Sequence, residues 1–248
     1  MVFEGKVSSG FMDQLFAHLK LADTHGDVLR NIVSIHVSQD LFDDLSESPV
    51  DWVQAQRIED EVKPFVYQSN IPVINRPFED AHWLSAIDWP YKHWQASRFS
   101  DGSFGVWYGC DSVETSIFET VYHWFNGFLK DAGFEKEKVI SERKLYAVAC
   151  DAALLDFRPH AVKYSGLVHK SDYNYTQAIG ARLHREGHPG LVTVSVRLAT
   201  GHNYAILNSN VLSNPRQHSQ LRYRLDGDRV YIEKQTDLTW TEIDTAML

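Results

Sequence analysis

Two stretches of this chain carry side chains from which a reaction site could be built. In the first, a helical reading of residues 112–129 sorts the side chains onto two faces. Val113, Ile117, Val121, Phe125 and Phe128 form an apolar stripe suited to a core. Thr115, Glu119, Tyr122, His123 and Asn126 fall together on another face. A carboxylate with Tyr and His about one turn further along a helix can wall a polar site, although an exposed Glu on a solvated face is the commoner arrangement. Arg98 stands just ahead of the run FGVWYG (104–109), and Tyr108 lies at the end of that run. In the second stretch, Ser195 and Arg197 end the run LVTVSVR (191–197).

Other chemistries find little support. The chain has 12 His, but only His184 and His188 (HREGH) have a ligand-like spacing, and Gly187 and Pro189 end the helix between them. There is no H-E-x-x-H and no Cys-x-x-Cys, so no metal site is expected. DGSFG (101–105) does not fit the G-x-S-x-G of a serine hydrolase. G-x-G-x-x-G and the P-loop are absent, which leaves a dinucleotide-fold dehydrogenase or a kinase unsupported.

The segment RFSDGSFGVWYGCDSVETSIFETVYH (98–123) resembles the opening of the RES domain family, named for its Arg, Glu and Ser. The family pattern runs from an Arg through a Gly-containing turn to a strand ending in Tyr-Gly or Tyr-Ala. A Ser/Thr-rich helix start and a helical Glu follow. Arg98, Tyr108, Ser112 to Thr115 and Glu119 match it. The segment YTQAIGARLHREGHPGLVTVSVRLATGHNYAILN (175–208) resembles the second half, with Ser195 and Arg197 at the Ser-x-Arg and Gly201 to Asn203 at the following turn. Val194 stands where relatives often carry Pro, and the N-terminal ninety residues are longer than in compact members.

The resemblance implies a core like that of ADP-ribosyltransferase toxins, with NAD+ bound in a cleft. It implies NAD+ degradation by a glycohydrolase or phosphorylase, the toxin of a toxin–antitoxin pair. The usual partner is a helix-turn-helix antitoxin that blocks the cleft. Some relatives transfer ADP-ribose to protein, and a non-catalytic NAD-binding module is a further alternative. NAD+ would be the substrate, so no cofactor is expected.

Residue types suit that chemistry. Cleaving the nicotinamide–ribose bond develops positive charge on the ribose, which a fixed carboxylate stabilises; Glu119 is the candidate. Nicotinamide in NAD+ is already a cationic leaving group, so one carboxylate can serve without a general acid. Arg98 offers a planar, permanently charged fork for the diphosphate. Tyr108 is a candidate to stack on nicotinamide or ribose, and Ser195 to hydrogen-bond the amide or the ribose. Tyr122 and His123 are candidates for the cleft wall. Arg197 is either structural or a second phosphate contact.

The elements that must position these residues read as an α+β core. Helices are expected at 112–129 and 172–186, the latter ended by Gly187 and the former started by Asp111 or Ser112, with Asp111 and Glu114 matching a capping box. Strands are expected at 104–109, 145–150, 191–197 and 203–208. Residues 221–233 read as a hairpin joined at Asp226–Gly227 by a type I′ turn. The chain is expected to divide into a largely helical accessory region, 1–94, and a catalytic region, 95–248. Within the first, Phe11, Leu15, Leu19 and Leu21 suggest a helix over 11–22, and residues 51–62 another. Residues 27–37 read as helix or strand, and residues 39–47 as an acidic face or turn. The aromatics Phe78, Trp83, Trp89, Tyr91, Trp94 and Phe99 suggest packing between the two regions. The accessory region could dimerise, cover the cleft or bind an antitoxin.

Composition is that of a folded enzyme-sized protein: 248 residues, 44% hydrophobic and 23% charged. The net charge of −9 and the lack of a basic stripe argue against direct nucleic-acid binding. No apolar run approaches the ~20 residues of a membrane helix. The first residues lack a signal-peptide pattern, and two cysteines are too few for a disulfide framework. A cytoplasmic setting is expected.

Overall fold

The computed structural model describes residues 9–33, 85–235 and 238–248. Strand β5 (Val139–Asp156) is its axis. The middle of β5, Leu145 to Val148, is buried at four successive positions, as its unbroken apolar run suggests for a strand covered on both faces. Strand β1 (Lys20–Val33) runs antiparallel along β5, from Lys20 opposite Asp156 to Val33 opposite Arg143.

Six further strands complete a sheet: β4 (Trp107–Cys110), β6 (Gly190–Val194), β7 (His202–Ile206), β8 (Leu212–Asp226), β9 (Arg229–Gln235) and β10 (Leu238–Asp244). The order is β1-β4-β7-β6-β5-β8-β9-β10, and the β1–β5 pairing closes the first five strands into a ring. Only β5 and β6 pair in parallel, so the sheet is mixed. A separate hairpin joins β2 (Ala96–Ser97) to β3 (Ser100–Asp101). Among the described residues the longer helices are α1 (Ser9–Phe16), α2 (Ser85–Lys92), α3 (Val113–Tyr122) and α4 (Asn174–Glu186). The architecture is α+β, as expected.

Three apolar clusters hold these layers. One joins Leu15 of α1 and Ile179 and Leu183 of α4 to Phe99, Phe157 and Leu191. A second packs Ile117, Val121 and Phe125 against Leu145, Leu221, Tyr223 and Ile232. The third surrounds Trp107, whose indole N–H donates to Ala86 O at 2.7 Å and so ties α2 to β4. Each fully buried Leu or Ile contributes roughly 1.5–3 kcal/mol.

The N-terminal expectation is corrected. The helix ends at Phe16, and residues 20–33 are sheet, not helical accessory. Leu21, placed on a helical face by its spacing, is 63% exposed. Fourteen paired positions on β5 outweigh a weak local helical pattern. Of the segment 27–37, residues 27–33 are strand. Residues 34–37, the acidic stretch 39–47, the helix expected at 51–62, and Phe78 and Trp83 lie outside the described residues. Among the other aromatics, Phe99 is buried, Trp89 stacks on His93, and Trp94 is exposed.

Smaller corrections follow the chain. The strand read at 104–109 begins only at Trp107. α3 gives way at His123 to a π-helical stretch, His123–Leu129. Its N-cap is Ser112, whose hydroxyl accepts from Thr115 N, and no Asp111–Glu114 box forms. β6 stops at Val194, which leaves Ser195 and Arg197 in the loop beyond it. The β8–β9 turn is Gly227–Asp228, with Asp226 paired to Arg229. Only Gly227 has positive φ, so the turn is not type I′, which needs two such residues; Gly at the first position is the type II′ pattern.

α4 lies directly on the β2–β3 hairpin. A Cβ built at Gly180 would stand 1.8 Å from Phe99 O, a backbone atom that cannot swing aside. Gly180→Ala is expected to destabilise the protein by about 1–3 kcal/mol or more, read as a lower urea midpoint at unchanged slope. An unchanged midpoint would mean that helix and hairpin do not meet this closely.

Candidate functional site

Glu119 sits on the last full turn of α3, half-buried. Its Oε1 accepts from Ser195 Oγ at 2.6 Å and from Asn203 Nδ2 at 2.5 Å. Two segments far apart in sequence therefore grip one carboxylate oxygen. The Ser195 hydroxyl is itself fixed, because it accepts from Arg197 N at 3.1 Å and Leu198 N at 3.0 Å. Ser195 N donates to Gly201 O at 2.7 Å, closing the loop. Gly201 packs against Thr115, where a Cβ would meet Oγ1 at 2.3 Å. Asp111 fastens the same loop by accepting from His202 N and from Thr115 Oγ1. With one proton given to Glu119 and two N–H groups accepted, Ser195 acts here as a carboxylate holder.

Arg98 and Arg197 share a neighbour, Tyr173, with Glu119. Arg98 is 8% exposed, lies over the Tyr173 ring at 4.4 Å, and donates to His169 O at 2.9 Å. Arg197 lies over the Tyr122 ring at 3.2 Å and donates to Lys170 O at 2.5 Å. Carbonyls and ring faces hold these guanidinium groups without cancelling their charge. By contrast, Arg158, Arg182, Arg216, Arg222, Arg224 and Arg229 each pair with a carboxylate. Among the described residues no carboxylate pairs with Arg98 or Arg197. A chain of net charge −9 thus keeps two arginines without a carboxylate partner among the described residues, both acting on a tyrosine that Glu119 also influences.

Three neighbouring groups, His123, Tyr173 and Cys110, are pushed toward their uncharged forms. Burial, and then the charges of Arg197, Arg98 and Arg143, lower the His123 pKa from 6.5 to about 3. The residue keeps some surface, but its Nδ1 is buried without a partner. Burial raises the Tyr173 phenol, partly offset by Arg98 and Arg197. Burial, followed by the charges of Glu119 and Asp111, pushes the Cys110 thiol well up. Cys110 therefore stays a thiol, donates to Asn203 Oδ1 at 3.3 Å, and is no nucleophile. Thr193 Oγ1, one strand over from Asn203, and Arg197 Nε are also buried without partners. Such atoms each cost roughly 1–3 kcal/mol, a cost that a polar ligand can offset.

Of the candidates from sequence, Ser195 meets Glu119 directly, Arg197 covers Tyr122 on the same helix, and Arg98 covers Tyr173, a phenol that feels the charges of Arg98, Arg197 and Glu119 together. The Tyr108 hydroxyl is bonded to the hairpin that carries Arg98. Sequence reasoning missed Asn203 as a Glu119 partner, although the strand register puts Asn203 beside both Cys110 and Thr193. It also missed Tyr173, which no motif marks. Among the described residues no group of three or more His, Cys, Asp or Glu could hold a metal ion, and no helix is long and apolar enough to cross a membrane. A shallow depression lined by Val192, Tyr204 and Arg158 opens on the opposite face of β6 and β7; there Arg158 is bound at two points to Asp156.

The depressed His123 pKa has a signed consequence. Below pH 6.5 the unfolded chain takes up a proton that the folded chain refuses, so stability falls with pH until about pH 3. His123→Gln is expected to flatten the pH dependence of urea stability between pH 6.5 and 4. Parallel profiles for the two proteins would show that His123 is not held neutral.

Comparison with known proteins adds the following. The RES domain family model matches residues 74–226. No curated protein sequence matches the chain. Among solved structures, a chain of the M. tuberculosis MbcT–MbcA toxin–antitoxin complex is similar at 11% identity and a TM-score of 0.46, covering 88% of this chain and 93% of that chain. The family match spans more than half of the sequence and contains Arg98, Glu119 and Ser195, and the chain belongs to the RES domain family.

Proposed function

We propose that this protein binds NAD+ and breaks its nicotinamide–ribose bond, as a glycohydrolase or phosphorylase. The observation that carries this reading is Glu119, fixed through one oxygen, with two arginines that no carboxylate among the described residues pairs with acting on the same neighbour, Tyr173. As the bond breaks, positive charge spreads over the ribose, and the held carboxylate stabilises it without reorganising. Preorganisation is the role of Ser195 and Asn203. The nicotinamide leaves as a neutral molecule from a cation and needs no proton, which suits a site whose His123 is held neutral. Arg98 and Arg197 carry the charge and planar geometry that a diphosphate requires. NAD+ is substrate, and the residues call for no metal or other cofactor.

Family membership extends the proposal. The core is of the ADP-ribosyltransferase type, and the protein acts in the cytoplasm as the toxin of a toxin–antitoxin pair. A helix-turn-helix antitoxin would silence it by covering the cleft.

Incubation of purified, folded protein with NAD+, with and without phosphate, resolves the acceptor by proton NMR. Nicotinamide with ADP-ribose identifies water, and nicotinamide with the phosphorylated sugar identifies phosphate. Glu119→Gln is expected to lower nicotinamide release by about 10²–10³-fold while the melting temperature stays near that of the parent. Full activity in that variant would remove Glu119 from the mechanism. Release only when a protein acceptor is added would make the chain a transferase.

A further inference from the structure

Arg98 occupies an unusual place. Ser97 pairs with Ser100, so Arg98 and Phe99 are the two central residues of a two-residue hairpin turn. The favoured turns for such hairpins, types I′ and II′, need positive φ at the first central residue. Among the described residues only Asn214 combines a side chain with positive φ, so Arg98 adopts neither turn. A turn of the other hand splays its strands, and here the ladder is only two pairs long. The turn must be fixed from outside. The Tyr108 hydroxyl meets this need: it bonds Ser97 Oγ at 2.8 Å and accepts from Phe99 N at 3.0 Å. It thereby pins the residues on both sides of Arg98. Gln177 adds a bond to Ser97 O at 3.0 Å, and α4 seals the far side at Gly180.

We infer that Tyr108 is a positioning residue, whose hydroxyl sets the Arg98 turn and so aims the guanidinium at an anionic, diphosphate-bearing ligand. This gives the Tyr108 hydroxyl a role beside the expected stacking of its ring on the ligand, and it rests on the NAD+ reading above. A phenol already bonded on both sides has little left to offer a substrate, whereas the turn has no other support for Phe99 N.

Tyr108→Phe separates the two roles, because it keeps the ring and removes only the pin. If Tyr108 positions Arg98, the KM for NAD+ rises about tenfold with kcat changed by less than about twofold. In an Arg98→Ala background the same substitution then adds nothing, since the group being aimed is gone. Ser97→Ala, which removes one of the two hydroxyl partners, shifts KM in the same direction by less. Independently of NAD+, the Phe99 amide loses its acceptor in Tyr108→Phe and exchanges faster with deuterium. A wild-type KM in Tyr108→Phe, or an effect that adds in full to Arg98→Ala, overturns the inference. If the parent protein releases no nicotinamide at all, the NAD+ reading fails, and the Phe99 exchange rate still decides whether Tyr108 holds the turn.

Discussion

A half-buried carboxylate survives in a folded protein only where donors reach it, and Glu119 is reached by donors from two directions. Ser195 arrives from the loop beyond β6, and Asn203 from β7. Both bonds end on the same oxygen, so the carboxylate is oriented as well as tethered. Much of the surrounding structure follows from delivering those donors. The loop from Ser195 to Gly201 is closed on itself, pressed on Thr115, and fastened by Asp111 to the start of α3. The helix that carries Glu119 and the loop that grips it are thus one mechanical unit, locked at both ends.

The back of that helix is anchored with equal care. Thr120 Oγ1 bonds the buried Tyr223 hydroxyl at 2.9 Å, and Asn31 Nδ2 donates to the same oxygen at 2.8 Å. Arg143 Nε donates in turn to Asn31 Oδ1 at 3.0 Å. Side chains from β1, β5 and β8 therefore meet one turn of α3. Buried polar networks of this kind rigidify when every member is satisfied. Apolar packing of Ile117 and Val121 supplies the adhesion, and the network supplies the register. The β1 contribution explains why residues 20–33 belong to the core and not to an appendage.

The sequence disclosed the site more readily than the scaffold. Arg98, Glu119, Ser195 and Arg197 stand in a recognisable order because the chemistry admits few substitutes for a planar cation or a fixed carboxylate. α4, the first part of α3 and the middle of β5 at 145–150 were also legible from their own apolar patterns, whereas the rest of β5 and the end of α3 at Tyr122 were not. β1 was not, because its strand character comes from a partner more than 100 residues away. Asn203 was read only as part of a turn, since its role depends on register across β4 and β7. The sequence left Asp111 and Ser112 both open as the start of α3; Ser112 takes the cap, and the Asp111 carboxylate serves His202 and Thr115 instead. The π-helical stretch after Tyr122 has no sequence mark, and it alters where His123 and the residues beyond it point.

The division of charge follows from this construction. An acidic chain could neutralise all of its arginines, and at the surface it does so repeatedly. At the site, Arg98 and Arg197 rest instead on carbonyl oxygens and aromatic faces. Those partners take one donor from each guanidinium and cover the cation, but they carry no net charge. Glu119 alone cannot balance both cations, and its accepting oxygen is already occupied by Ser195 and Asn203. The nearby groups that could add charge are silenced: His123 by burial and three arginines, Cys110 by burial and the acids beside it. What remains is a field with positive charge from the arginines and negative charge from the carboxylate of Glu119, with Asp111 close by and engaged by His202 and Thr115. A ligand matches that field when it carries anionic groups at one end and a centre that becomes cationic at the other.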